Sequence, residues 1–381
     1  MRLSALLFMA LLLTACASTG DIKSYSSLKE TKVFSEEETR VWSSAVELDK
    51  ALMNKDLIYA DPELETYLNE TVHKLYPELA DAIHVKPIRA STLNAFALAN
   101  GSIYIHIGLI ARMDNEAQLA TVIGHEAVHF INKHNLKQMR NVKNSAAWGT
   151  GLGIAVGPLI GALAAVSNIS GYSKELEREA DNESYKRLII SGYDTAEAVK
   201  VFQILMAEVK ALDIDEPYFF ASHPKLKLRV NSFNKLNKNN TVKGDILNRE
   251  RFLKITGKAR IDSLKEDLAS SRYKSVLLAL DSSEKLSKYP EYIHYYLGEA
   301  YRLRNNDQDI AKAEEAYLEA LKRSPEFAPS YKSLGVLSMK NHKNDDSLHY
   351  FKKYLSLAPE ASDRGYVENY IESIVKERSG S

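Results

Sequence analysis

The chain has 381 residues, enough for two or three domains that each bury a core of their own. Fifty Lys and Arg balance fifty Asp and Glu, so zero net charge argues against nucleic acid or an anionic membrane surface as the main partner. The single cysteine, Cys16, excludes an intramolecular disulfide.

The N-terminus reads as a lipoprotein signal. Arg2 is a short positive region, and residues 3–13 form an apolar run too short for a typical membrane span. Leu13-Thr14-Ala15-Cys16 then resembles a bacterial lipobox. On this reading residues 1–15 are a signal peptide, Cys16 is the acylated terminus, and 16–30 is a tether. Several acyl chains on one residue anchor a protein stably. By resemblance to Gram-negative sorting, Ala17 after the cysteine favours the outer membrane, with the protein facing the periplasm.

Further along, helical spacing covers 36–57 through Val41, Ala45, Leu48 and Leu52, and Asp61-Pro62 starts a second helix carrying Leu64, Tyr67, Leu68, Val72 and Leu75. Residues 83–88 and 101–107 read as short strands, the second alternating Ile103, Ile105, Ile107. Helices are predicted over 115–132, 173–191 and 195–212, with Gly192 at a helix C-terminus. Residues 145–166 carry no charge and are long enough to cross a bilayer. A single crossing would part His129 from any ligand downstream, and the glycines and Pro158 break a straight helix. The stretch therefore reads as a broken helical hairpin near the site or, equally, as a Gly-rich core segment.

From 258 to 378 the pattern turns helical and repetitive. Tyr296, Leu297, Gly298, Ala300, Tyr301, Ala313, Tyr317, Ala320 and Pro325 follow the tetratricopeptide spacing, and a second copy runs through Tyr331, Leu334, Gly335, Phe351 and Pro359. The prolines are 34 residues apart but the glycines 37, which puts three extra residues in the first copy's turn, around 305–309. Ser338 replaces a large residue in the second copy, and a degenerate copy is expected over 261–290.

The chemistry centres on TVIGHEAVHF at 121–130, where His125, Glu126 and His129 form H-E-x-x-H. On a helix, positions i and i+4 share a face, so both imidazoles can reach one metal ion. Glu126 stands about 100° further round, aimed at the water such an ion activates. Two neutral nitrogen ligands and a carboxylate base suit hydrolysis at zinc, and a catalytic zinc takes a third protein ligand. The metzincin continuation is excluded, because Asn132 and Asn135 occupy its Gly and His positions. His134, nine residues after His125, counts half a turn out of phase and is expected at the surface. The third ligand is then a carboxylate of the 173–191 helix. Spacing alone allows Glu177 with Asp181 or Glu179 with Glu183.

The string Y-S-K-E-L-E-R-E-A-D at 172–181 resembles the HtpX-like zinc metallopeptidases, the group that also contains the CAAX prenyl endopeptidase. The resemblance implies Glu177 as third ligand to one zinc ion and Asp181 as the group holding a ligand histidine. Asp61-Pro62-Glu63-Leu64 and Tyr67-Leu68-Asn69 are similar to the family's opening helix, and Asn94-Ala95-Phe96-Ala97, followed by Gly101 and the Ile103 to Ile107 strand, is similar to its substrate-binding edge strand. Ser222-His223-Pro224 with Arg229 is similar to its late motif. There the histidine lies over the metal, as an occluding ligand or as a donor to the tetrahedral intermediate, and the arginine steadies the site or faces substrate. Ala99-Asn100 departs from the Pro or Gly often found after the edge strand, which leaves that turn open.

The expected fold is thus a mostly α, α+β zincin-type metallopeptidase domain at 31–245, followed by an all-α tetratricopeptide-like domain at 258–378. A protease followed by such repeats resembles the β-barrel assembly-enhancing proteases of the periplasm, which are not lipoproteins, so Cys16 departs from them. The function implied is a zinc-dependent envelope endopeptidase acting on misfolded or unassembled proteins. Its partners would be outer-membrane barrels or their assembly machinery, bound through the repeats. The alternative is a chaperone-like or scaffolding lipoprotein whose protease site stays latent.

Overall fold

The computed structural model describes residues 22, 24–25, 35–53, 57–143, 172–212, 226–242 and 244–379. Cys16, the 145–166 stretch and Ser222-His223-Pro224 lie outside the described residues.

The first half is mostly helical around a small sheet. Helix α1 (Glu36–Met53) precedes α2 (Pro62–Leu75), whose N-cap Asp61 accepts from the Leu64 amide at 3.1 Å, with Pro62 at the first helical position. Strands β1 (His84–Ile88), β2 (Ala95–Ala97) and β3 (Ser102–His106) form a sheet of order β1-β3-β2. β1 runs parallel to β3 with His84 opposite Ser102, and β2 runs antiparallel with Ala95 opposite Ile105. Every residue of β3 is buried, not only the alternating isoleucines, because β3 is the central strand, paired on both sides; of the stretch expected as the edge strand, only β2 lies at the edge. Phe96 and Tyr104 stack at 5.3 Å under α1, where Asp49 takes the Tyr104 hydroxyl and pairs with Lys86 at 3.0 Å.

A short α3 (Ile107–Arg112) leads into α4 (Glu116–Ile131), capped by Asn115. Every residue of α4 is buried, so it is the central post of the domain. Helix α5 (His134–Lys143) follows, then α6 (Lys174–Ile190), α7 (Ala196–Leu212) and α8 (Leu226–Asn239). Gly192 has φ +77, the left-handed closure that ends α6 without a Cβ penalty. Leu68, Val72, Ile105, Leu119, Ile123 and Phe202 meet in one core.

His106 closes β3 with its Nδ1 2.7 Å from the Thr92 hydroxyl, and burial lowers its pKa to about 4. Between that value and the unfolded ~6.5, only the unfolded chain holds the proton. Stability is therefore complete above pH ~6.5 and falls by about 3 kcal/mol as pH drops toward 4. Urea titrations of zinc-free protein across that range should show the slope, and His106→Leu should flatten it. An unchanged slope in the variant assigns the effect elsewhere.

The C-terminal part starts with α9 (Arg249–Ala269), α10 (Tyr273–Ala279) and α11 (Ser283–Leu286). Arg260, fully buried, donates to the carbonyls of Ala111, at 2.8 Å, and Met113. Asp267 pairs with Arg112 at 3.2 Å and Arg272 at 2.8 Å, and Arg272 also reaches Ser91. These contacts tie the helical region to the loop that enters β2. Helices α12 (His294–Arg304), α13 (Asp309–Arg323), α14 (Ala328–Lys340), α15 (Asn344–Leu357) and α16 (Arg364–Ser379) complete the chain. A Cβ on Gly298 would stand 2.5 Å from the Tyr317 ring, and one on Gly335 2.6 Å from Phe351. Each glycine thus lets one helix of a pair lie against an aromatic of the next. The three extra residues are not all in the first turn, however. The linkers are 305–308 and 341–343, so one falls there and the others lengthen the two flanking helical segments.

Candidate metal centre

Helix α4 presents His125 and His129 one turn apart, and α6 packs alongside with Glu177 on the facing side. The two Nε2 atoms are 3.0 Å apart. His125 Nε2 lies 3.4 Å from Glu177 Oε2, and His129 Nε2 3.5 Å from Glu177 Oε1. Donors bonded at 2.0–2.1 Å to a tetrahedral ion stand about 3.3 Å from one another. Two imidazoles and one carboxylate in this triangle therefore fit zinc, and among the described residues no fourth His, Cys, Asp or Glu joins them. All three ligands are buried, none more than 1% exposed.

Glu126 is equally buried, beside rather than within the triangle. Burial pushes its carboxyl up to about 8, with the Glu177 charge adding, while His125, Arg229 and the Ala97 amide pull it back. The Ala97 amide matters for position, because it ties the carboxylate to the end of β2. A divalent cation in the triangle would favour the ionised form.

The outer edge of His125 meets Asp181, with Nδ1 3.0 Å from Oδ1. A metal on Nε2 leaves the hydrogen on Nδ1, so this nitrogen donates to Asp181. Arg229 grips the same oxygen, at 3.1 Å from Nε and 2.6 Å from Nη2, and lies over the Phe202 ring. Burial works to raise the Asp181 carboxyl, but Arg229 and His125 outweigh it and hold it below the usual range. Arg229 was expected to steady the site or face substrate. It is buried behind His125, on the edge away from the triangle, and only the first role suits that position.

The alternative carboxylates point elsewhere. Glu179 and Glu183 accept from Asn132 Nδ2 at 2.7 and 2.9 Å. His134 requires a correction: it is not at the surface but fully buried, with Nδ1 2.8 Å from His129 Nδ1. Counting nine residues along one helix failed because α4 stops at Ile131. Lys133 takes φ +51, and the chain restarts as α5 at His134. Tyr172, which sequence reasoning did not single out as a site residue, stacks on His129 at 3.9 Å and donates to Asn135 Oδ1 at 2.8 Å. Asn94 and Ala95 are buried with Phe96 at the start of the edge strand, and the Asn94 carbonyl accepts from the His106 amide.

Tyr25 falls in the stretch read as a tether, yet it is docked. Its amide donates to the Ile131 carbonyl at 2.9 Å, and its ring lies 5.1 Å from Phe130 with Lys133 over it. Among the described residues, no helix is long and apolar enough to cross a membrane.

An H-E-x-x-H helix joined by a glutamate from a second helix beside a small sheet defines a metallopeptidase domain. Residues 61–237 match Peptidase family M48. The chain is similar to the β-barrel assembly-enhancing protease of Escherichia coli K12, at 27% identity over 45% of this chain and 38% of the relative. It is also similar to the metalloprotease LoiP of the same organism, at 32% identity over 37% of this chain and 58% of that one. The mitochondrial metalloendopeptidase OMA1 of Arabidopsis thaliana is 32% identical over 30% of this chain and 24% of its own length. The chain thus spans about two fifths of the assembly-enhancing proteases that it matches.

Proposed function

We propose that the protein is a zinc-dependent endopeptidase of the bacterial cell envelope, acting on misfolded or unassembled proteins. The observation that carries this reading is the buried His125–His129–Glu177 triangle with Glu126 beside it. When bound there, one zinc ion per chain acidifies a water and polarises the scissile carbonyl. Glu126 takes the proton from the attacking water and returns it to the leaving amide nitrogen. Asp181 and Arg229 keep His125 turned toward the triangle. The edge strand β2 takes substrate backbone as an added strand, near Asn94, Ala95 and Phe96, which brings a peptide bond close to Glu126 through the Ala97 link. His223 would donate to the developing oxyanion or cap the resting site. Acylation of Cys16 would hold the protein at the outer membrane, facing the periplasm. The helices from 258 onward would act as tetratricopeptide-like repeats that dock client barrels or their assembly machinery.

Purified protein should carry one zinc per chain and cleave an unfolded substrate such as casein. Treatment with 1,10-phenanthroline should stop cleavage, and added zinc should restore it. Hydrolysis that persists in metal-free protein sinks the proposal.

The burial of all three ligands favours a second reading, in which the resting site is closed and the helical region supplies a chaperone-like or scaffolding role. The two differ in whether the chemistry is needed in the cell.

A further inference from the structure

His134 sits at the start of α5 with no exposed surface, and its ring meets His129 edge-on, at 4.9 Å and 74°. The two Nδ1 atoms are 2.8 Å apart. At that distance two lone pairs repel, and so do two N–H groups, so one nitrogen carries hydrogen and the other accepts it. A neutral His129 that gives its Nε2 lone pair to a metal carries its hydrogen on Nδ1. Nδ1 of His134 is then the acceptor, and its own hydrogen moves to Nε2. That N–H faces Glu179 Oε2 at 3.4 Å, longer than an ordinary hydrogen bond. Glu179 is held in turn by Asn132 at 2.7 Å and Lys137 at 3.3 Å.

We propose that His134 is the positioning residue of the second ligand histidine: its Nδ1 accepts from His129 Nδ1–H and so sets the tautomer and ring angle with which His129 meets the metal. This rests on the zinc-binding reading above. The two ligand histidines are thereby held in chemically different ways. A carboxylate braced by an arginine holds His125, and a neutral imidazole holds His129. A second carboxylate behind His129 would add negative charge to a buried site that already contains Glu126, Glu177 and Asp181. A neutral acceptor orients the ring without that charge.

The test is zinc affinity of the full chain, measured by competition with a chromophoric chelator. His134→Phe keeps a ring but removes the acceptor, and should weaken binding by about 10- to 100-fold and alter the visible spectrum of the cobalt-substituted protein. His134→Asn offers an amide oxygen near the Nδ1 position and should keep most of the affinity. Unchanged affinity in His134→Phe, or equal loss in both variants, overturns the proposal. Long-range 1H–15N spectra of the unmodified, zinc-loaded protein give a reading that needs no variant to fold. His134 should appear as the Nε2–H tautomer, and an Nδ1–H tautomer overturns the assignment. Failure of the unmodified chain to take up zinc would defeat the metal reading itself, which separates that outcome from failure of His134 alone.

Discussion

Glu126→Gln should cut peptide hydrolysis by at least about 100-fold while leaving zinc stoichiometry unchanged, because general-base catalysis contributes on the order of 10²- to 10⁴-fold. Glutamine fills the same volume, and the carboxylate it replaces lies outside the ligand triangle, so neither the core nor the metal site loses a member. The amide has no basic oxygen to take a proton from water, and only that is lost. Metal content by atomic absorption and single-turnover cleavage of an unfolded substrate measure the two halves separately. Cleavage within tenfold of the unmodified protein removes Glu126 as the base. The same variant decides between the two functional readings in cells. If it fully rescues a strain lacking the protein, the needed activity resides in binding rather than cleavage.

The second large effect concerns Arg229→Met. Breaking a buried ion pair by removing one partner typically costs about 3–5 kcal/mol, because the remaining charge stays desolvated. Among the described residues Asp181 would keep only His125 as side-chain partner, in a position 3% exposed. Methionine preserves part of the packing over Phe202, so the loss should be mainly electrostatic. Urea denaturation of the zinc-free protein should show the destabilisation, and zinc affinity should fall as His125 loses its brace. Combining Arg229→Met with Asp181→Asn should be less destabilising than the two changes summed, since the double variant leaves no lone charge. A single variant within about 0.5 kcal/mol of the original would place the pair among surface-like, weakly coupled ions.

Periodicity made much of the first half legible. Helices anchored by Asp61, Asn115 and Ser173 start within a residue of the expected positions, since those side chains do cap them. The metal triangle was only partly legible. Spacing pairs Glu177 with Asp181 but equally Glu179 with Glu183, and a sequence does not say which face of α6 meets α4. His134 was misread because helical phase is lost across a turn, and the positive φ at Lys133 has no glycine to announce it. The sheet order was also hidden. β2 is three residues long, too short for a period-2 pattern, and it is held by backbone pairing with β3. The burial of Tyr25 follows from contacts made more than a hundred residues away, which no local pattern carries.

The division of the ligands between α4 and α6 makes the site bipartite, with 48 positions separating His129 from Glu177. A polypeptide that ends before α6 keeps two donors of three and loses the chelate advantage that the docked glutamate provides. By linkage, whatever factor the docking of α6 adds to zinc affinity, zinc returns to the docking of α6. A bound ion would therefore report whether these two helices are together. Any strain that prises α6 from α4 should register first as metal release, before the rest of the core gives way.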